Sequence, residues 1–438
     1  MVINVINTDI KESSNLLNIE LILYFLIAYA LPVFAIWKIQ IKYKKFYITL
    51  GRNFLFVLLF LVLAIGNIFL MYKTYSIFFR ENISLKFYLT PSNAIQGVVS
   101  NIRSYISKNK VMQELFADAR FTKKSKQRKL IVFVVGETAR AQNFSIYGYN
   151  RETNPLLSKR DIAVMKNTTS CGTYTALSVP CMFSSINSSE YRSTNDLYDT
   201  FLQPLLKLGV SVFWLDNNFG GCAKVCNIDG ISVSILDDQK DSRYCQEGEC
   251  HDEILLRDLE EKINSVKSGD VFIVLHQNGS HGPSYTKRYP KKFEKFSPVC
   301  TNNRLDECKK DELLNAFDNT ILYTDFTIDK TISILEKYEK KFASALFYAS
   351  DHGESIGENG AYLHGIPYSI APNEQKNVPF IIWFSKDMQK EINYMCVKNH
   401  GSSKQHSHDN IAHSILSIFN IDSSGYKKDL DIFANCKS

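Results

Sequence analysis

The sequence predicts an α/β fold, a mostly parallel sheet sandwiched by helices, preceded by two transmembrane helices. Three observations carry this expectation. Beyond residue 128, short runs rich in β-branched and aromatic residues recur without polar alternation, as in strands buried on both faces. Amphipathic stretches separate those runs, and strand–helix alternation argues a parallel sheet. Upstream lie two long apolar runs separated by a lysine-rich segment, the pattern of a membrane anchor.

In chain order, residues 1–15 read as a stub outside the membrane, followed by a span over 16–37. Its core, "LILYFLIAYALPVFAIW" (Leu21 to Trp37), carries no charge. Residues 38–53 hold Lys38, Lys42, Lys44, Lys45 and Arg52, which the positive-inside rule places in the cytoplasm. A second span covers 54–72, so everything after it lies outside, on the same side as the N-terminus. The first run has no basic flank before it and no small-residue cleavage site, so it does not read as a signal peptide. Residues 73–127 read as an interfacial segment and a solvated basic linker, with Tyr75, Phe78, Phe79, Phe87 and Tyr88 at headgroup depth. The catalytic domain is expected over 128–438. Its strands are "KLIVFVVGE", "VSVFWLDNN", "DVFIVLHQNG", "ASALFYASDHG" and "VPFIIWFS". "HDEILLRDLEEKINSVK" predicts a helix with Ile254, Leu255, Leu259, Ile263 and Val266 on one face, and a longer helix is expected over 311–340.

Hydrophobic residues make up 45% of the 438 and aromatics 13%, which excludes wholesale disorder. The net charge of +6 shows no basic face interleaved with aromatics, so no nucleic-acid partner is expected. Ten cysteines fall largely as near neighbours: Cys171 and Cys181, Cys222 and Cys226, Cys245 and Cys250, Cys300 and Cys308. Cys396 and Cys436 pair by elimination. Zinc-finger spacings are absent, so the pattern reads as disulfides formed in an oxidising compartment. Each short loop adds about 3 kcal/mol on the chain-entropy model.

Ligands of open α/β sheets bind beyond the carboxyl ends of the strands. Here three such ends carry Glu137, His276, and the Asp351–His352 pair, while loops add His281 and His364. Taken singly, each has a plainer reading as a capping or hydrogen-bonding residue. Together on one rim they read as a metal site, and mixed carboxylate–histidine ligation suits zinc or manganese. The stretch "SCGTYTALSVPC" offers Thr173, Tyr174, Thr175 and Ser178 between two cysteines. A hydroxyl needs activation to act as a nucleophile. Zinc held by Glu137, Asp351 and His352 keeps one position open, where a hydroxyl loses its proton. His281 and His364 would then bind phosphoryl oxygens or protonate a leaving group. The residues thus read as metal-assisted phosphoryl or sulfuryl transfer through a covalent intermediate.

"VVGETAR", "SCGTYTALSVPCMFS", "GSHGP", "SDHGES", "ENGAYLHGIPY" and "SHDNIAHSIL" resemble the phosphoethanolamine transferases that modify lipid A. That family includes the mobile colistin-resistance enzymes and belongs to the alkaline phosphatase/sulfatase superfamily. The resemblance spans nearly the whole chain. It implies transfer of phosphoethanolamine from phosphatidylethanolamine, through a phospho-threonine, to lipid A or another envelope glycan. The implied enzyme is a monomer of the bacterial inner membrane whose catalytic domain lies in the periplasm among membrane lipids. By motif, the resemblance makes Thr175 the nucleophile, and Glu137, Asp351 and His352 with Thr175 the tight Zn2+ site. His281 and His364 match substrate-phosphate histidines, and His276 matches a second, looser zinc. In "HSHDNIAH", Ser407 or Asp409 is expected to open a helix, in preference to a metal role for His406 or His408. Asn4, Thr8 and Glu12 resemble a head-group-contacting loop, N-x3-T-x3-E.

Two departures stand out. The family's C-K-x-x-C loop becomes Cys222, Ala223, Lys224, Val225, Cys226, displacing the substrate-contacting lysine by one. Family members usually carry five spans, whereas two are read here, resembling the last two. Two expectations follow: a working short form, or a truncated product whose other part is separate. The competing activities are a metal-dependent phosphoester hydrolase and an inactive remnant that only binds lipid. A sulfatase would need C/S-x-P-x-R, which does not occur near Cys171 or Cys181.

Overall fold

The computed structural model describes residues 23, 26–39, 46–71, 75, 93, 95, 97–99, 112–123, 125–194, 197–218, 220–236, 241–246 and 249–437. Asn4, Thr8, Glu12, Phe78, Phe79, Phe87 and Tyr88 lie outside them. The chain divides into two units, Met1–Lys110 and Val111–Ser438.

In the first unit, a π-helical turn at Leu26–Ala30 precedes α1 (Leu31–Lys38). Pro32 lies in the first turn of α1. It has no N–H for the preceding turn, a known cause of such widening. α2 (Phe46–Leu70) is the one helix of membrane-spanning length among the described residues; its Tyr47–Leu70 stretch has a mean hydropathy of 2.5. At 25 residues it extends about 37 Å, enough for a hydrocarbon core of roughly 30 Å. It begins earlier than the expected span over 54–72 and takes in part of the basic loop, including Arg52. No proline interrupts Phe46–Asn53, and the long arginine stem can lie along apolar surface with its charge directed outward.

In the second unit the central sheet has seven strands. They are β1 (Arg128–Gly136), β2 (Ala163–Val164), β3 (Ser211–Asp216), β4 (Ser232–Ile235), β5 (Val271–His276), β6 (Phe342–Ser350) and β7 (Phe380–Phe384). The spatial order is β2-β7-β6-β1-β5-β3-β4. Strands β6, β1, β5, β3 and β4 run parallel, while β7 and β2 add antiparallel pairings at one edge. The mostly parallel α/β expectation therefore describes the fold. Strands β5 and β6 are buried along their whole length, as their unbroken apolar runs require. Beside the sheet, Phe183 stacks on Phe201 at 5.1 Å and packs against Trp214 at 5.2 Å.

Four helices matter for the site: α3 (Thr175–Met182), α4 (Leu259–Ser265), α5 (Lys310–Glu336) and α6 (Asp409–Ile418). Three expectations shift. The stretch over 251–267 is not one helix but a 3-10 turn, Asp252–Leu256, followed by α4. The Asp252 carboxylate accepts from Asn217 Nδ2 and from the amides of Asn278 and Gly279, tying its turn to the sheet. The long helix ends at Glu336 because β6 opens at Phe342. Part of the expected linker is folded into this unit: Met112–Gln113 pairs with Leu197–Tyr198, Arg120–Phe121 pairs with Ile421–Asp422, and Phe116 is buried.

The register aligns the carboxyl ends. Ser350 lies opposite Gly136, and His276 opposite both Val135 and Asp216. The next residues, Glu137 and Asp351, therefore emerge side by side.

On α5, the carboxylate of buried Asp325 accepts from the amides of Leu156 and Leu157. Burial nevertheless pushes its pKa from 3.8 to about 7. A carboxylate whose pKa is higher folded than unfolded stabilises the fold below pH 4 and loses that contribution as pH rises to about 7. Urea unfolding of the full chain should show this decline, which amounts to at most about 4 kcal/mol. Asp325→Asn should flatten it. An unchanged slope in the variant would show that other groups govern stability in this window.

Candidate active site

Glu137, Asp351 and His352 meet at the aligned strand ends, all fully buried. His352 Nε2 lies 3.3 Å from Glu137 Oε1 and 3.3 Å from Asp351 Oδ2. Thr175, the first residue of α3, brings Oγ1 to 3.1 Å from Glu137 Oε2 and 3.4 Å from His352 Nε2. The positive end of the α3 dipole favours negative charge on that oxygen.

The outward atoms of the triad are held in place. Thr138 N and His352 N donate to Asp351 Oδ1, at 3.2 and 2.7 Å. His352 Nδ1 bonds the Gly353 carbonyl at 2.9 Å, which leaves Nε2 to face the carboxylates. Asn218 Nδ2 donates to Glu137 Oε2 at 2.8 Å and to the Gln277 carbonyl at 2.9 Å. Asp351 Oδ2 and His276 Nε2 are buried without a hydrogen-bond partner.

Burial works to raise the pKa of Glu137, but the hydrogen bond and charge of His352 hold it well below the usual carboxylate range. Burial and the neighbouring Glu137 push Asp351 up to about 7. Burial opposes charge on His352, yet Asp351 and Glu137 push it up to about 9. Three buried donors converging on one point, with an orphaned carboxylate oxygen among them, fit a divalent cation. Their oxygen–nitrogen chemistry suits zinc or manganese.

The other histidines surround this point. The His352 and His364 rings are 4.5 Å apart, and those of His364 and His281 5.2 Å. His364 Nδ1 faces the buried Glu354 carboxylate at 3.3 Å. Burial pushes His281 down to about 4, and its carbonyl accepts from Arg288 Nε at 2.7 Å. His276 lies on the same edge, with Nδ1 3.3 Å from Asp216 Oδ2. Burial opposes its charge, but Asp216, Glu137 and Asp351 raise its pKa.

The loop hydroxyls are sorted by their partners. Thr173 Oγ1 is committed to the Ile366 carbonyl at 2.7 Å, and Ser178 Oγ to the Asp351 carbonyl at 2.5 Å. Tyr174 is exposed. Of the four, Thr175 is the one whose hydroxyl bonds a side chain of the triad. All five expected disulfides form, including Cys396–Cys436. That last bridge lies beside His400, and its sulfurs are not free thiolates for a metal. Lys224 is exposed on the Cys222–Cys226 turn.

In "HSHDNIAH", Asp409 opens α6. His408 Nδ1 accepts from Cys171 N at 3.1 Å, and Nε2 bonds the Ser350 carbonyl at 2.9 Å. It joins the Cys171–Cys181 loop to the strand end before Asp351. Sequence reading missed this role, along with Asn218, Asp216 and Asp252. Only the placement of "DNN" at the end of an apolar strand hinted at the first two.

A "Sulfatase" family model matches residues 129–421, and one described as "Phosphoethanolamine transferase EptA/EptB" matches 1–106. Together, fold and site define a member of the alkaline phosphatase/sulfatase superfamily. The chain is 38% identical to phosphoethanolamine transferase EptA of Escherichia coli K12, covering 100% of this chain and 80% of that one. It is 35% identical to phosphatidylethanolamine transferase Mcr-1 of Escherichia coli, covering 96% and 78%. The integral membrane lipooligosaccharide phosphoethanolamine transferase A from Neisseria meningitidis superposes with a TM-score of 0.75 at 36% identity, covering 99% and 81%. Within the superfamily, the chain belongs to the lipid A phosphoethanolamine transferase family.

Because His408 satisfies two buried backbone groups, His408→Ala should cost about 2–4 kcal/mol in urea unfolding. A loss below about 0.5 kcal/mol would show that the ring does not tie the loop to the strand.

Proposed function

We propose that the chain transfers phosphoethanolamine from phosphatidylethanolamine to lipid A or a related envelope acceptor, with Thr175 as the covalent carrier. The observation that carries this reading is the contact of Thr175 Oγ1 with Glu137 and His352 at the start of α3. Glu137, Asp351 and His352 would hold Zn2+ or a similar cation, with His276 at a second, looser position. Such a cation lowers the pKa of a hydroxyl and offsets charge on phosphoryl oxygens.

The side chains carry out the rest. Thr175 Oγ1 forms the bond to phosphorus as the diacylglycerol oxygen leaves; the acceptor oxygen then attacks, and the phospho-threonine bond breaks. His281 and His364 bind the phosphoryl oxygens, and His364, whose Nδ1 faces the Glu354 carboxylate, passes the proton given up by Thr175 to the diacylglycerol oxygen. The Cys171–Cys181 bridge and the Thr173 and Ser178 bonds hold Thr175 in place before substrate arrives. Five disulfides support a periplasmic location. Together with α2 they support an inner-membrane enzyme. Asn4, Thr8, Glu12 and Lys224 are proposed head-group contacts, and the working unit is a monomer.

Lipid A mass spectrometry on cells expressing the chain should show the added phosphoethanolamine mass. Thr175→Ala should lower it at least about 1000-fold. A chelator should abolish transfer by the purified enzyme, and Zn2+ should restore it. No added mass with the native sequence would sink the lipid A assignment, and a fully active Thr175→Ala enzyme would sink the nucleophile.

A further inference from the structure

The bare nitrogen of His276 is set by a buried relay behind it. Trp214 Nε1 donates to Asp216 Oδ2 at 2.8 Å, and His276 Nδ1 lies 3.3 Å from the same oxygen. Asn218 N donates to Asp216 Oδ1 at 2.8 Å. Trp214 and His276 are 0% exposed and Asp216 is 3% exposed, so water does not compete for these groups. The indole and imidazole rings meet edge to face at 5.7 Å, which fixes the plane of the imidazole.

A carboxylate oxygen only accepts, so the nitrogen facing it must carry a proton. The neutral ring is therefore the Nδ1–H tautomer, with its lone pair on Nε2. That atom is buried and unpartnered at the same strand edge as the orphaned Asp351 Oδ2. Asp351 and Glu137 are the next carboxylates in electrostatic reach of the ring.

We infer that Asp216, anchored by Trp214 and Asn218, is a positioning residue that locks His276 in the Nδ1–H tautomer. Its Nε2 is thereby presented as ligand to a second divalent cation beside the Glu137–Asp351–His352 centre. The inference rests on the metal reading of that centre, which must carry its own cation for the charges around His276 to balance.

Asp216→Leu tests this by removing the acceptor at nearly constant volume. With no carboxylate facing Nδ1, nothing holds the proton there, and the ring is free to carry it on Nε2, where it blocks a metal. In Zn2+ titrations of the full chain in detergent, Asp216→Leu and His276→Gln should weaken the second equivalent about 10–100-fold. The first equivalent should be retained. Nitrogen NMR of histidine-labelled protein with one equivalent of Zn2+ should show His276 protonated at Nδ1 alone, assigned by loss of the signal in His276→Gln. Wild-type affinity for the second equivalent in Asp216→Leu would overturn the inference. So would a native ring protonated at Nε2. The NMR result stands apart from metal affinity: if Glu137→Gln left the first equivalent unchanged, the proposed function would lose its metal centre. The spectrum would still decide whether Asp216 sets the tautomer.

Discussion

Everything at the carboxyl edge depends on keeping two carboxylates and an imidazole together away from water. Glu137, Asp351 and His352 are each 0% exposed, and isolated buried charge is among the costliest arrangements a fold can hold. The parallel register supplies the solution's geometry, since β1 and β6 end at the same level and deliver Glu137 and Asp351 as neighbours. Backbone amides, Asn218 and the Gly353 carbonyl then take the outward lone pairs and protons. Left over are the atoms that face one another, and a divalent cation is the partner that fits them.

That packing dictates the surrounding loops. At Gly279, where φ is +54°, a Cβ would come within 2.5 Å of the Glu137 carbonyl. Only glycine lets this loop pass so close while Asp252 holds its amides. Gly353 follows the same logic against the Glu374 carbonyl, 2.0 Å from where its Cβ would stand. Its smallness serves close backbone packing. The Cys171–Cys181 loop is clamped from both sides, by Thr173 to the backbone after His364 and by His408 to the strand before Asp351.

The sequence displayed the strands because both of their faces are buried, so apolar runs mark them without reference to partners. It displayed Glu137, Asp351 and His352 because they stand where such runs stop, at the carboxyl ends where ligands of α/β sheets bind. What it concealed depends on contacts between distant segments. The helix expected over 251–267 broke because Asp252 bonds across to Asn217 and Asn278, which no local pattern encodes. Phe116 entered the core beyond the anticipated linker boundary for the same reason. The motif offered Ser407 or Asp409 as the residue opening a helix, and Asp409 opens α6, yet nothing local showed that His408 reaches Cys171.

The four hydroxyls between Cys171 and Cys181 show how chemistry is assigned within a fixed loop. Composition makes them near equivalents, and the resemblance alone singled out Thr175. The structure supplies a physical reason. Thr173 and Ser178 satisfy carbonyls, half-buried at Ile366 and buried at Asp351, and freeing either would leave an acceptor without its donor. Tyr174 is the extended residue before α3 and turns to solvent. Thr175 alone stands where the helix begins and the triad is within 3.4 Å, with Glu137 as its hydrogen-bond acceptor. The hydroxyl best placed to react is thus the one whose bond can be given up without unsettling the loop.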